Sequence, residues 1–219
     1  MYSDGTIIEF PAEKLTRSNG SRGRNLVARD FRFVERLQRA KYGDVLKYAM
    51  SGGGFAALKI PIDFSSTPYH EFRVMMELQA SAGKYSPYFC GPISIFQQRI
   101  TPGSSRAVKD PMGGDQSIGY SKAIIAMDYI PGRTMRYSII RSTPSDIAVM
   151  VCHLLAALTV GGLTHYDLHS ENVIMRPCNP SAIFLIRLGS SKEFILLPSG
   201  GHFPVIIDFG FSYSKGCVD

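Results

Sequence analysis

From Phe31 onward the chain is written in short runs where apolar and polar residues alternate. Phe31–Leu37, Tyr42–Ala49 and Phe55–Ile60 follow one another closely, with Ser51-Gly52-Gly53-Gly54 between the last two. Period-two runs with tight connections predict an antiparallel meander. The spacing then changes. Val74, Met75 and Leu78 fall on one face of a helix expected over Tyr69–Ala80. Ile93–Ile100 and Ala123–Ile130 are strands by pattern, the second stopped by Pro131-Gly132, with residues 101–120 a loop between them.

The second half opens helically. Thr143-Pro144-Ser145-Asp146 is a start signal, with a hydroxyl at the cap, proline in the first turn and an acid behind it. That helix should stop at Gly161-Gly162. It is apolar nearly all round, which predicts a central buried helix. Asn172–Met175, Ile183–Arg187, Glu193–Leu197 and Val205–Asp208 are short strands by pattern. Residues 1–30, rich in Ser, Gly and Arg, read as a flexible arm with one short strand at Thr6–Phe10. The expected class is α+β: five strands with one helix over 31–130, then a mainly helical portion with small hairpins over 131–219.

Composition narrows the function classes. Hydrophobic residues make up 45% of the chain and charged residues 19%, enough for a core and against disorder. The net charge of +6 is scattered, so a solvated basic surface is expected rather than a specific nucleic-acid face. A basic cleft would also suit a polyphosphate. Cys90, Cys152, Cys178 and Cys217 show no C-x-x-C spacing, so neither zinc nor a disulfide framework is expected. A reducing, cytoplasmic location follows as the default. No apolar N-terminal segment suggests secretion, and Ile147–Val160 is short for a membrane span.

The chemistry concentrates late in the chain. His165-Tyr166-Asp167-Leu168-His169-Ser170-Glu171-Asn172 offers a carboxylate and, five residues on, an amide. Asp208-Phe209-Gly210 offers a second carboxylate at the end of the apolar run Val205-Ile206-Ile207. Two acids and an amide brought together could hold Mg²⁺ and orient a hydroxyl, the equipment of phosphoryl transfer. As a plain structural alternative, Asp167 and Asp208 would cap turns and His165 would be a core histidine.

H-x-D-L-x-x-x-N followed by D-F-G resembles the catalytic and metal-binding loops of the protein kinase superfamily. The resemblance covers residues 31–214 and implies a bilobal fold with a five-stranded antiparallel sheet in the first lobe. It implies ATP and Mg²⁺ as cofactors. Asp167 would be the base, with Lys59 and Asn172 beside it in the chemistry. Asn172 and Asp208 would be the metal ligands, with Phe209 packed under the helix that follows Lys59 and His165 beneath Phe209. Lys59, in Ala57-Leu58-Lys59, resembles the A-x-K of the third kinase strand and would meet the α- and β-phosphates. Its carboxylate partner would be Glu71, which has the better helical face, or Glu77, which has the more usual distance. Met127 would gate the adenine pocket, the backbone of Asp128 and Ile130 would bond the base, and Val45, Ala57 and Ile174 would sandwich it.

The sequence also departs from that pattern. Of the family's G-x-G-x-x-G-x-V, the segment Gln38–Val45 keeps only Gly43 and Val45, while Ser51–Gly54 sits at a strand turn too close to Lys59 to replace it. Tyr166 stands where kinases usually carry Arg, and His169 where protein Ser/Thr kinases carry Lys. Arg176–Phe203 lengthens a hairpin that is usually short, and its Pro-x-x-Gly ending resembles divergent kinases of large DNA viruses. The chain ends nine residues past Gly210, without an A-P-E segment. That implies a fragment of a longer frame or a minimal kinase-like module. The expected activity is phosphoryl transfer from ATP to a protein serine or threonine. The alternatives are a pseudokinase scaffold and a small-molecule kinase of the aminoglycoside phosphotransferase type, which D-L-H-x-x-N also resembles.

Overall fold

The computed structural model describes residues 31–40, 43–61, 67–99, 121–187 and 194–214. The N-terminal arm, the 101–120 loop and Cys217 lie outside the described residues. Packing divides the chain into two compact units, one within 1–69 and 93–128, the other within 70–92 and 129–219.

The first unit is a five-stranded antiparallel sheet. Its strands are β1 (Phe31–Ala40), β2 (Gly43–Met50), β3 (Phe55–Pro61), β4 (Pro92–Arg99) and β5 (Ser121–Asp128), in the order β1-β2-β3-β5-β4. Ser51–Gly54 makes the β2–β3 turn, with Gly53 and Gly54 at φ 90° and 83°, where a side chain would be strained. Register sorts the side chains by face. Leu46 pairs with Leu58 and Tyr48 with Ala56, and these join Phe31, Ile60, Phe96, Ile124 and Ala126 in the core on one face. Gly43 opposes Pro61, and a Cβ there would lie 2.5 Å from the Ile60 carbonyl oxygen. The close approach of β2 to β3 therefore requires glycine at this point.

The second unit begins with most of α1 (Thr67–Ser81) and a 3₁₀ turn over Gly83–Tyr88. The short elements β6 (Arg133–Thr134) and α2 (Met135–Ile139) precede α3 (Pro144–Gly161). The expected start of α3 forms a full capping box: Asp146 N–H donates to Thr143 Oγ at 3.2 Å, and Thr143 N–H donates to the Asp146 carboxylate at 3.0 Å. Gly162 closes the helix at φ 57°. Beyond it come β7 (Leu163–Thr164), β8 (Val173–Pro177), β9 (Ile183–Arg187), β10 (Phe194–Pro198), β11 (His202–Ile206) and β12 (Tyr213–Ser214). Strands β11-β8-β6 form one small sheet, β9 and β10 a two-stranded insertion, and β12 pairs with β7.

Helix α3 departs from the sequence expectation. His153, Leu154, Ala156, Ala157 and Gly161 are buried, yet Val151 is 41% exposed and Leu155 59%. Composition sets how apolar a helix is, not how many sides its neighbours cover. At 18 residues it is also longer than Ile147–Val160, long and apolar enough by composition to cross a membrane. Its inner face is nonetheless that of a core helix. A Cβ on Gly161 would meet the Phe89 ring at 2.6 Å. His153 sits among Tyr88 and Phe184, and Phe203 packs edge-on against Tyr88.

Two predictions follow from this packing. Gly43→Ala must push β2 off β3 and should cost about 1–3 kcal/mol by chemical denaturation, whether or not any nucleotide is bound. His153 is 1% exposed. Its Nε2 donates to the Pro198 carbonyl at 3.1 Å, so its Nδ1 accepts from the Tyr88 hydroxyl at 2.8 Å. Burial pushes the imidazole below its ordinary value, and the Pro198 carbonyl pulls weakly the other way. The unfolded chain takes up this proton near pH ~6.5 and the folded chain only at lower pH. Stability from this site is complete above that pH and falls on acidification toward the folded value. Denaturation midpoints between pH 7.5 and 5 should show that slope, and His153→Phe should flatten it.

Candidate active site

Each unit holds part of the expected site. In the first unit, Val45 pairs with Lys59 across β2–β3, and Lys59 pairs with Ile125 across β3–β5. Ala57 pairs with Met127 in the next row. Directly paired residues project to the same face, and residues two apart on a strand share it. Val45, Ala57, Lys59 and Met127 therefore occupy one face of the sheet, opposite the Leu46–Leu58 core. On that face Lys47 is already engaged, donating to Glu35 at 3.1 Å and lying over the Phe55 ring. Asp128, at the end of β5, is exposed, and Met127 is buried.

The strands before this face stay paired up to Ala40 and Gly43. β1 and β2 stay in register through Gln38–Val45 and Arg39–Asp44 to Ala40–Gly43, with two residues between them. Arg36 pairs with Asp44 at 3.5 Å. The glycine that sequence reasoning assigned to phosphate approach is required by strand packing, which supplies a separate reason for its presence.

In the second unit, the two acidic strings are tied together by hydrogen bonds. The His165 ring donates from Nε2 to the Ile207 carbonyl at 3.0 Å. Asn172 donates its amide N–H₂ to the Asp167 carbonyl at 3.0 Å, and Ile207 N–H donates to the Asn172 carbonyl at 3.0 Å. Phe209 is fully buried, with its ring 5.7 Å from that of His165. Its backbone N–H donates to Glu71 Oε1 at 3.3 Å. Glu71 is 1% exposed, while Glu77 is half-buried. The helix that carries Glu71 therefore belongs by packing to the unit that carries Asp208.

Two residues here have left-handed backbones without being glycine: Tyr166 at φ 59° and Asp208 at φ 61°. Aspartate tolerates that region better than tyrosine, for which it costs on the order of 1–2 kcal/mol. Asp167 N–H donates back to the His165 carbonyl at 2.8 Å, which closes the turn over Tyr166. The strain thus sits on the residues immediately before and within the two acidic positions.

His169 also takes a defined role. Glu171 N–H donates to His169 Nδ1 at 3.2 Å, so the neutral ring carries its proton on Nε2. That nitrogen lies 4.0 Å from Asp167 Oδ2. Asn172 uses its nitrogen within the loop, which leaves Oδ1 as its acceptor. Together with the Asp208 carboxylate, this supplies hard oxygens of the kind Mg²⁺ takes. Among the described residues no group of three or more His, Cys, Asp or Glu side chains is placed to hold a metal. Ile130 is buried, Ile174 lies on β8 opposite Val205 and Thr134, and Gly132 between them is at φ 137° with no room for a Cβ against the Met175 carbonyl.

Sequence reasoning missed Ser212 and His70. Ser212 donates its hydroxyl to the His165 carbonyl at 3.3 Å and its N–H to the Phe209 carbonyl at 3.0 Å. His70, beside Glu71 on α1, bonds the Ser212 carbonyl at 2.8 Å. Neither residue type nor spacing marked them.

No known protein-family model matches the chain. It is 28% identical over 171 residues to uncharacterized protein 038R of Invertebrate iridescent virus 3, covering 71% of this chain and 30% of that protein. It is 38% identical over 55 residues to uncharacterized protein 098R of Invertebrate iridescent virus 6, covering 25% of this chain and 9% of that protein. The chain therefore spans less than a third of either relative. Among solved structures it superposes on the PF14_0431 kinase domain with a TM-score of 0.56 at 14% identity, covering 87% of this chain and 53% of that one. The fold is kinase-like, with a mixed α+β architecture and a five-stranded antiparallel sheet.

Proposed function

We propose that this protein is an ATP-dependent phosphotransferase that moves the γ-phosphate to a hydroxyl, with a protein serine or threonine as acceptor. The observation that carries the reading is the hydrogen-bonded frame around Asp167, Asn172 and Asp208, anchored on Glu71 through Phe209 N–H. A frame of this kind fixes where two carboxylates and an amide stand before substrate arrives, and positioning is most of what phosphoryl transfer asks of a protein.

In this reading the acceptor oxygen forms a bond to the γ-phosphorus as the bond to the β–γ bridging oxygen breaks. ADP leaves with the electron pair, and the hydroxyl proton passes to Asp167. Asp167 is exposed, so an acceptor can reach it. His169 Nε2–H lies 4.0 Å from its carboxylate. Within the first unit, Lys59 would place its charge on the α- and β-phosphates and Val45 and Ala57 would pack on the adenine; Ile174 would be the second unit's contribution to the base. Met127 gates the base, and the Asp128 and Ile130 backbone bonds its edge. Asn172 and Asp208 would hold Mg²⁺, which when bound screens the polyphosphate charge. The pairing of Gln38–Ala40 with Gly43–Val45 favours a second reading, a nucleotide-binding module without turnover, because strand-paired amides are not open to phosphate.

Asp167→Ala should lower phosphotransfer by about 10²–10⁴-fold while Mg·ATP still raises the melting temperature. Radiolabel transfer to a mixed protein substrate, run beside a small-molecule hydroxyl panel, measures it. Thermal stabilisation by Mg·ATP with no transfer in the wild type would select the binding module. Lys59→Met and Asp208→Asn should each reduce transfer at least about 10²-fold with unchanged circular dichroism. Robust activity in either would reject the assignment.

A further inference from the structure

The second unit contains a cavity of about 640 Å³ to which Asp167, Asn172 and Asp208 contribute nothing. Its lining belongs to α2, the start of α3 and one end of the β11-β8-β6 sheet, with the end of the inserted β9–β10 hairpin as a wall. That volume is in the range that holds a small organic ligand.

The cavity has two chemical characters. Val149, Met150, Met175, Pro177 and Pro204 give it an apolar interior. At one side Arg133 and Arg141 both lie against the Tyr137 ring, with guanidinium carbons 4.1 and 4.4 Å from its centroid. Two cations sharing one phenol repel each other, and the ring offsets only part of that cost. Among the described residues neither arginine has a carboxylate at ion-pair distance. The nearest acid in the lining, Asp146, is committed elsewhere: its Oδ2 accepts from Thr143 N–H and from Thr143 Oγ at 2.7 Å to cap α3. The cavity therefore presents two guanidinium charges and the Thr143-bonded Asp146 carboxylate beside an apolar chamber.

The walls are built rather than loose. Arg133 pairs with Met175 in the sheet, so strand pairing sets where that guanidinium starts. Opposite, buried Ser199 donates its hydroxyl to the Asn179 carbonyl at 2.8 Å and accepts from Gly201 N–H at 3.1 Å. The Pro198 carbonyl is held by His153. A site whose shape exists before binding loses less on ordering.

We propose that this cavity binds a small phosphate monoester with an aromatic or branched apolar body, the dianion meeting Arg133 and Arg141 and the body meeting Met150 and Met175. Paired guanidinium forks suit a tetrahedral dianion. The proposal is independent of phosphotransfer, since none of its residues serves the candidate active site.

The test uses the full chain with ¹³C-methyl methionine, titrated with phenyl phosphate, inorganic phosphate and benzyl alcohol. Phenyl phosphate should shift the Met150 and Met175 methyls, more tightly than either partial probe, and should do so equally with Mg·ATP present. Arg133→Gln with Arg141→Gln should weaken it at least tenfold. Met150→Trp, which fills the chamber, should abolish the shifts in a chain whose circular dichroism is unchanged. Absence of binding to the wild type, equal binding to the double variant, or complete displacement by Mg·ATP would each overturn the proposal. Lys59→Met should leave these shifts intact, so failure of phosphotransfer and failure of this site can be told apart.

Discussion

A buried carboxylate organises the second unit. Glu71 is removed from water, and a charge in that position must be met by donors or it costs several kcal/mol. One donor is the Phe209 N–H, the amide immediately after Asp208. This bond to the backbone makes the helix answer to the path of the chain at the second acidic string. His70, one residue earlier, reaches Ser212 four residues past Asp208, so α1 grips the segment on both sides of Phe209. These bonds fix the chain immediately after Asp208.

The first acidic string is fastened to the same segment. Ile207 receives the His165 ring on its carbonyl and gives its N–H to Asn172. One residue thus joins both ends of the loop that carries Asp167. The backbone strain at Tyr166 and Asp208 is tolerable only because hydrogen bonds over-determine the chain around it. The strain falls on Tyr166, immediately before Asp167, and on Asp208 itself.

Much of this was legible in the sequence because it rests on local rules. Alternation in β2 and β3 sets the face that carries Val45, Ala57 and Lys59, and the Thr143–Asp146 capping box needs no tertiary information. Helical face favoured Glu71 as the buried glutamate, since Val74, Met75 and Leu78 mark that side, while distance from Lys59 favoured Glu77. What could not be read was set by partners distant in sequence. Gly43 fits the phosphate-loop pattern, but the second reason for a glycine there, the Ile60 carbonyl beside it, is set by a different strand. Ser212 and His70 are ordinary residues whose importance lies in bonds spanning the fold. The exposed side of α3, at Val151 and Leu155, was illegible because periodicity reports only a residue's own polarity.

The cavity and the acidic loops share strands β8 and β11. In register these pair His202 with Pro177 and Pro204 with Met175 at one end, all four lining the cavity. At the other end Ile206 pairs with Val173, next to Ile207 and Asn172, the residues that tie the loops together. Antiparallel strands resist sliding, since a one-residue slip turns every side chain to the wrong face. The pair therefore behaves as a short stiff bar, with an apolar chamber at one end and the two acidic loops at the other. A ligand that fits the preformed chamber without displacing Met175 or Pro204 leaves Asn172 and Ile207 where they stand, and Val205 and Ile206, buried completely, hold the bar against bending.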